Sequence, residues 1–312
     1  MRIVLSDVAW TPAMFEEMTK MNIVLASGMQ TEEERLALFK GVNGEGLIKK
    51  EEHLNVLFSF FYARGGYATK GNQILQDIKA AKLKGKMYLD SGVFSARKKG
   101  MIIPTEELID FYFEHEDTID HVFSMDDGPI ETQLKNAKQM KDAGLPVIGI
   151  FHPGTMPLDY LDKLNEICDY VSIGMFSVGG FMKKDSIINT LDKVWEYIYH
   201  RDLMPMKIHL LGTENTDVLI RYPFYSSDAS SFFLGYANGA YSYFNKMNQR
   251  IKMINLRKNL TDAATLDINA VDLKGDSIEH RVLRASNSIR ARFDLQRFVT
   301  DVWTKKGVVW ED

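Results

Sequence analysis

Residues 146–175 read PVIGIFHPGTMPLDYLDKLNEICDYVSIGM. An apolar run, a Pro/Gly-bearing loop, an amphipathic segment and a second apolar run follow one another in this stretch. The first run, PVIGIF, ends at Phe151 and the second, DYVSIGM, ends at Met175. Both are short and carry branched or aromatic side chains without a polar face, the profile of strands buried on both sides of a parallel sheet. The segment between them, 157–167, has the spacing of a helix.

The same unit recurs outward in both directions. Upstream lie LNVLFSFFYA from Leu54, KMYLD ending at Asp90 and HVFSMD ending at Asp126; downstream lie KIHLLG ending at Gly212 and RYPFYSSD ending at Asp228. Helical segments are expected at 71–83, 105–117, 131–143, 184–200 and 213–220. In 131–143, Leu134, Ala137, Met140 and Ala143 recur at threes, while Lys135, Lys138 and Lys141 take another face. Strand and helix alternating over seven or more units predict an α/β chain folded as a (β/α)8 TIM-like barrel. No Gly-rich dinucleotide fingerprint follows any strand, which argues against an open doubly wound sheet.

The eighth strand is expected within 239–245 or 250–256, and the first fifty residues as a less regular lead-in. Two helices are expected after about residue 275, with Arg281, Arg284, Arg290, Arg292 and Arg297 along them. The predicted organisation is therefore a barrel over 1–245 and a basic, mainly helical C-terminal extension over 246–312, packed on the barrel.

Composition narrows the class. Of 312 residues, 45% are hydrophobic and 26% charged, which excludes a disordered or collagenous chain. The longest apolar run, 54–63, reaches about half a membrane span, so no membrane partner is expected. The opening MRIVLSDVAW does not read as a signal peptide. Cys168 is the only cysteine, so no disulfide forms within the chain and no cysteine-built zinc site is possible. No His-x-x-x-His pair occurs either, and no metal or other cofactor is expected. A reducing, cytoplasmic setting fits. The 16 methionines read as core filling. The net charge of −4 hides an asymmetry: 1–245 carries −8 and 246–312 carries +4, one footprint of a polyanion-binding surface.

In a barrel of this type the chemistry sits at the C-terminal ends of the strands. Asp90, Asp126, Asp127, His152 and Asp228 all fall there. Each has a structural reading: Asp90 and Asp228 suit turns or helix N-caps, Asp126-Asp127-Gly128 suits a plain loop, and His152 suits a turn. Carboxylates at corresponding ends of different strands nevertheless point to a nucleophile, a proton shuttle and a recognition group on one rim. His209 lies inside a strand and reads as a satisfied core histidine. His200 lies at a helix end, where positive charge suits the dipole.

YLDSGVFSA, the FSMDD strand end, the IGIF turn, DYVSIGMFSVGG, HLLGT and the strand ending at Asp228 occur in one order. Over roughly 54–232 that order resembles the tRNA-guanine transglycosylase family, barrel enzymes that exchange guanine for a 7-deazaguanine without cutting the backbone. It is most similar to the short, often phage-encoded members, including the branch that acts on DNA.

The resemblance implies Asp228 as the nucleophile on the sugar C1′ and Asp90 as the general acid/base that relays a proton from the incoming base. It implies Asp126, or its neighbour Asp127, as the carboxylate that recognises the guanine edge. Phe94 and Leu211 would sandwich the base, and Gly174, Met175 and Phe176 would meet its carbonyl. His152 stands where many members carry glutamine, and Gly180 where bacterial members often carry a glutamate that recognises an aminomethyl group. The last difference points to a base without the ammonium, such as preQ0. The family's zinc subdomain is absent, which leaves the oligomer open.

The expected activity is thus base exchange in nucleic acid, with DNA favoured over tRNA and helper proteins allowed for strand opening. Arg250, Lys252, Arg257, Lys258, Arg281, Arg284, Arg290 and Arg292 are expected to contact the backbone. Reversing the charges of Arg290 and Arg292 is expected to weaken binding and flatten its salt dependence. The alternatives are a tRNA-directed transglycosylase, a non-catalytic accessory subunit and an unrelated barrel glycoside hydrolase.

Overall fold

The computed structural model describes residues 22–26, 55–64, 85–174, 184–203, 206–229, 239–255 and 277–308. Eight parallel strands close into a barrel: β1 Asn22–Ala26, β2 Asn55–Ser59, β3 Met87–Asp90, β4 His121–Phe123, β5 Val147–Phe151, β6 Tyr170–Gly174, β7 Lys207–Leu211 and β8 Ser226–Ala229. Each pairs with the next, and β1 closes the ring by pairing with β8, Val24 opposite Asp228. The connecting helices are α1 Phe60–Ala63, α2 Val93–Lys98, α3 Thr105–Glu114, α4 Ile130–Asp142, α5 Tyr160–Ile167, α6 Lys184–His200 and α7 Thr216–Leu219. Among the described residues, no helix is long and apolar enough to cross a membrane.

The seven apolar runs of the sequence are β2 to β8, but the eighth strand is neither 239–245 nor 250–256. Those segments form an antiparallel hairpin outside the barrel, β9 Ala240–Asn245 with β10 Arg250–Asn255, and the missing strand is β1 in the lead-in. A connection as short as 246–249 joins antiparallel strands, whereas neighbouring parallel strands need a crossover of a dozen residues or more. The division expected at 245/246 therefore falls inside the hairpin. In place of two C-terminal helices there is one, α8 Ile278–Lys305, capped by Ser277. It contains no glycine or proline to interrupt it.

The barrel interior is aromatic. The His209 ring meets Phe123, Tyr88 and Tyr170, with centroids 5.1, 6.3 and 6.4 Å away, and His121 lies edge-on to Tyr170 at 5.4 Å. Burial, with Lys86 and Lys207 nearby, pushes His121 down to about 3. It is therefore neutral near pH 7. Outside, α8 packs on the hairpin and on α7. Phe298 meets Phe244 at 5.8 Å, and the Trp303 indole N–H donates to the Leu219 carbonyl at 2.8 Å. Leu295, Val299 and Trp303 are buried in the same cluster as the barrel core.

Candidate active site

The C-terminal ends of the strands form the mouth. Asp90 is the last residue of β3 and stands in register with Ser59, the last residue of β2. Its Oδ2 accepts the Gly92 N–H at 3.0 Å. Gly92 takes φ +73°, and a Cβ there would collide with Ser59 Oγ and Phe61 Cβ. Glycine thus lets the chain turn tightly beneath the carboxylate. Burial, then the neighbouring charge of Asp126 and more weakly that of Asp228, push Asp90 up to about 7. The Gly92 N–H and Ser59 hydroxyl act against them. Three carboxylates on β3, just beyond β4 and on β8 therefore share one electrostatic neighbourhood.

Asp228 is buried in β8. Its Oδ1 accepts the Gly212 N–H at 2.6 Å and lies 3.0 Å from His209 Nε2. Asp126, just past β4, places Oδ2 3.0 Å from Nε2 of His152, just past β5. Gly174 ends β6 directly behind that ring: a Cβ there would stand 2.5 Å from His152 Nδ1. Leu211 ends β7 in register with Gly174. Asp126, His152, Gly174 and Leu211 are thus brought to one arc of the rim.

Asp127 faces elsewhere. Its carboxylate accepts the Gly128 N–H and pairs with Arg97 at the surface, away from His152. Phe94, on α2, is 62% exposed with Lys98 Nζ 4.2 Å from its ring centroid. It is an aromatic face presented outward. Met175, Phe176 and Gly180 lie outside the described residues. Among the described residues, no group of three or more His, Cys, Asp or Glu side chains is placed to hold a metal ion.

The basic set divides. Arg250, Lys252 and Arg290 are exposed, although Arg250 also pairs with Asp217 at 2.6 Å. Arg284 and Arg292 are buried, which removes them from any surface contact with a phosphate backbone. Arg292 grips Glu214, its Nε 3.0 Å from Oε2, and donates to the Ser288 carbonyl at 3.1 Å. Helix periodicity explains the difference, because a 28-residue helix lying on a barrel turns some of its arginines inward. Arg257, Lys258 and the Arg281 side chain lie outside the described residues.

His209 is wholly buried, as its place inside a strand predicts. It also touches the candidate nucleophile. The sequence signal is a histidine set between apolar residues in KIHLL, facing a neighbour that reads Ser-x-Asp. A buried imidazole needs partners, and residues two apart on a strand share a face.

No protein-family model matches the chain, and no curated protein does. Among solved structures, the chain is similar to a mutant tryptophan synthase alpha-subunit from Pyrococcus furiosus. That match has 10% identity and a TM-score of 0.45, covering 71% of this chain and 91% of that one. It is also similar to 3-hexulose-6-phosphate synthase from Salmonella typhimurium, at 12% identity and a TM-score of 0.43, covering 67% and 88%. Values this low say nothing of chemistry. The barrel itself rests on its strand pairing.

Proposed function

We propose that the chain is a base-exchange transglycosylase that replaces guanine in nucleic acid, DNA in preference to tRNA, with a 7-deazaguanine such as preQ0. The observation that carries the reading is a pair of carboxylates at one mouth, Asp90 and Asp228, near enough for the charge of one to act on the other. Asp90 is pushed up to about 7, so it holds or releases a proton near neutrality. Asp228 accepts the Gly212 N–H on Oδ1, with His209 Nε2 3.0 Å from the same oxygen, which fixes the carboxylate in place. The ordered motifs that resemble the transglycosylase family place the same two residues as proton relay and nucleophile.

In this reading an Asp228 oxygen attacks the sugar C1′. The C1′–N9 bond breaks, its electron pair stays on guanine N9, and the protonated Asp90 supplies the proton. The incoming base then gives its N9 proton to Asp90, and N9 attacks C1′ and releases Asp228. The covalent sugar–carboxylate stage keeps the backbone intact, as in retaining glycosidases. Asp126 accepts the guanine-like N–H edge, and His152 fixes the carboxylate on which that recognition depends. The target base must leave its stack, a cost of a few kcal/mol in a duplex. Exposed cations such as Lys252 and Arg290 would offset it through phosphate contacts.

The test is incorporation of labelled guanine or preQ0 into duplex DNA and tRNA, side by side, with wild type and Asp228→Ala. Label entering DNA only when Asp228 is present supports the reading. Label entering tRNA instead keeps the chemistry and changes the substrate. No incorporation into either favours an accessory subunit.

A further inference from the structure

The barrel interior carries a line of polar groups that ends on Asp228 and that the base-exchange steps do not use. Tyr170 Oη on β6 is hydrogen-bonded to Ser226 Oγ on β8, and Ser226 Oγ to His209 Nδ1 on β7. His209 Nε2 lies 3.0 Å from Asp228 Oδ1. His209 and Ser226 are wholly enclosed, and each stands among rings and strands that leave water little room. Register explains the arrangement: His209 sits opposite Ser226, and Asp228 follows two residues on, with its side chain on the same face.

With Tyr170 donating to Ser226 and Ser226 donating to Nδ1, the ring proton of His209 sits on Nε2 and is donated to Asp228. The Gly212 N–H converges on the same carboxylate oxygen at 2.6 Å. Among the described residues, both hydrogen bonds to the Asp228 carboxylate fall on Oδ1 and none on Oδ2.

We infer that His209 is a positioning residue, locked by Ser226 and Tyr170, that anchors Asp228 by Oδ1 and turns Oδ2 toward the mouth as the attacking oxygen. This rests on the reading of Asp228 as nucleophile. The chain does no proton transfer in the reaction. Its work is to hold one rotamer and one tautomer, as a buried carboxylate does for the histidine of a catalytic triad, here with the roles exchanged. A misplacement of about 1 Å in a reacting group costs up to about a hundredfold in rate.

Two measurements test it. In the exchange assay, His209→Phe is expected to lower kcat by that factor with KM for the base nearly unchanged. His209→Gln keeps an N–H donor near the Nε2 position and is expected to recover part of the loss, and Tyr170→Phe is expected to give a smaller decrease. Wild-type kcat in all three, with Asp228→Ala inactive, overturns the positioning role and leaves the nucleophile standing. Exchange that survives in Asp228→Ala overturns the nucleophile instead. Independently of any activity, long-range ¹⁵N spectra of histidine-labelled protein are expected to show His209 protonated at Nε2 and bare at Nδ1. An Nε2 without a proton overturns the inference, because Oδ1 would then lack this donor.

Discussion

The bare α-carbon of Gly174 makes room for His152: a Cβ at that position would stand 2.5 Å from Nδ1 and 2.7 Å from Cε1 of the ring. His152 has its other nitrogen 3.0 Å from Asp126, so the end of β6 sets the place of a carboxylate beyond β4 through one imidazole. Gly174→Ala is expected to push the ring aside and take Asp126 out of alignment. A displacement near 1 Å in such a group costs up to about a hundredfold. The expected outcome is a KM for the incoming base raised at least about tenfold, with a thermal midpoint close to wild type. An unchanged KM would separate His152 from base recognition.

Asp90 gives the stability of the protein a definite pH dependence. Its folded value of about 7 lies above the ordinary 3.8, so between those values the folded state binds more protons than the unfolded one. The protonated form is the one the fold tolerates, and stability falls as pH rises from about 4 to about 7. The full shift corresponds to a loss on the order of 4 kcal/mol. Asp90→Asn removes the charge that has to be buried. The two proteins should unfold at similar urea concentrations near pH 4, and the Asn variant should be the more stable by pH 7.5. Parallel curves across that range would mean that Asp90 ionises freely. The same substitution is expected to abolish exchange, since an amide cannot relay the proton.

How much of this was legible in the chain depends on whether a feature is local. Strands β2 to β8 stand out because each is a short run buried on both faces, and Asp90, Asp126 and Asp228 stand out because they end such runs. β1 is just as apolar, but only its pairing with β8, far along the chain, makes it a barrel strand. The hairpin 240–255 has the composition of a strand, and only its short turn separates it from the barrel. His209 is legible in part for the same reason. Its burial could be read from KIHLL, whereas its contact with Asp228 comes from the β7–β8 register. The basic tail misled in the opposite way, because counting arginines does not tell which side of a helix they occupy.

Asp126 and Asp127 are adjacent, yet the structure sends them to different places. Asp126 meets His152 inside the mouth, while Asp127 pairs with Arg97 at the surface, where both side chains are more than a third exposed. A surface pair of that kind contributes about 0–1 kcal/mol. Asp127→Ala is therefore expected to leave KM, kcat and stability nearly unaltered. Asp126→Ala is expected to raise KM for the base strongly while the protein stays folded. The two variants assayed together decide the assignment, and a damaging Asp127→Ala would move the recognition role by one residue.

Arg290 and Arg292 are two residues apart on α8 and are expected to respond oppositely to substitution. The Arg292 guanidinium is buried against Glu214, which lies in the loop between β7 and α7, so this pair ties the helix to the barrel. Arg292→Ala takes the guanidinium away from a carboxylate that is only 13% exposed, and breaking such a pair costs about 3–5 kcal/mol. The variant should melt well below wild type. Any residual binding to DNA at low temperature should keep the wild-type salt slope. Arg290 faces solvent, and Arg290→Glu should leave the melting temperature within a few degrees. If Arg290 contacts a phosphate, its loss weakens binding and reduces the slope of log K against log salt by about one. Fluorescence anisotropy with a labelled duplex across a salt series, together with a melting curve for each variant, separates the two roles. A flattened slope in Arg292→Ala with unaltered melting would return that residue to the nucleic-acid surface.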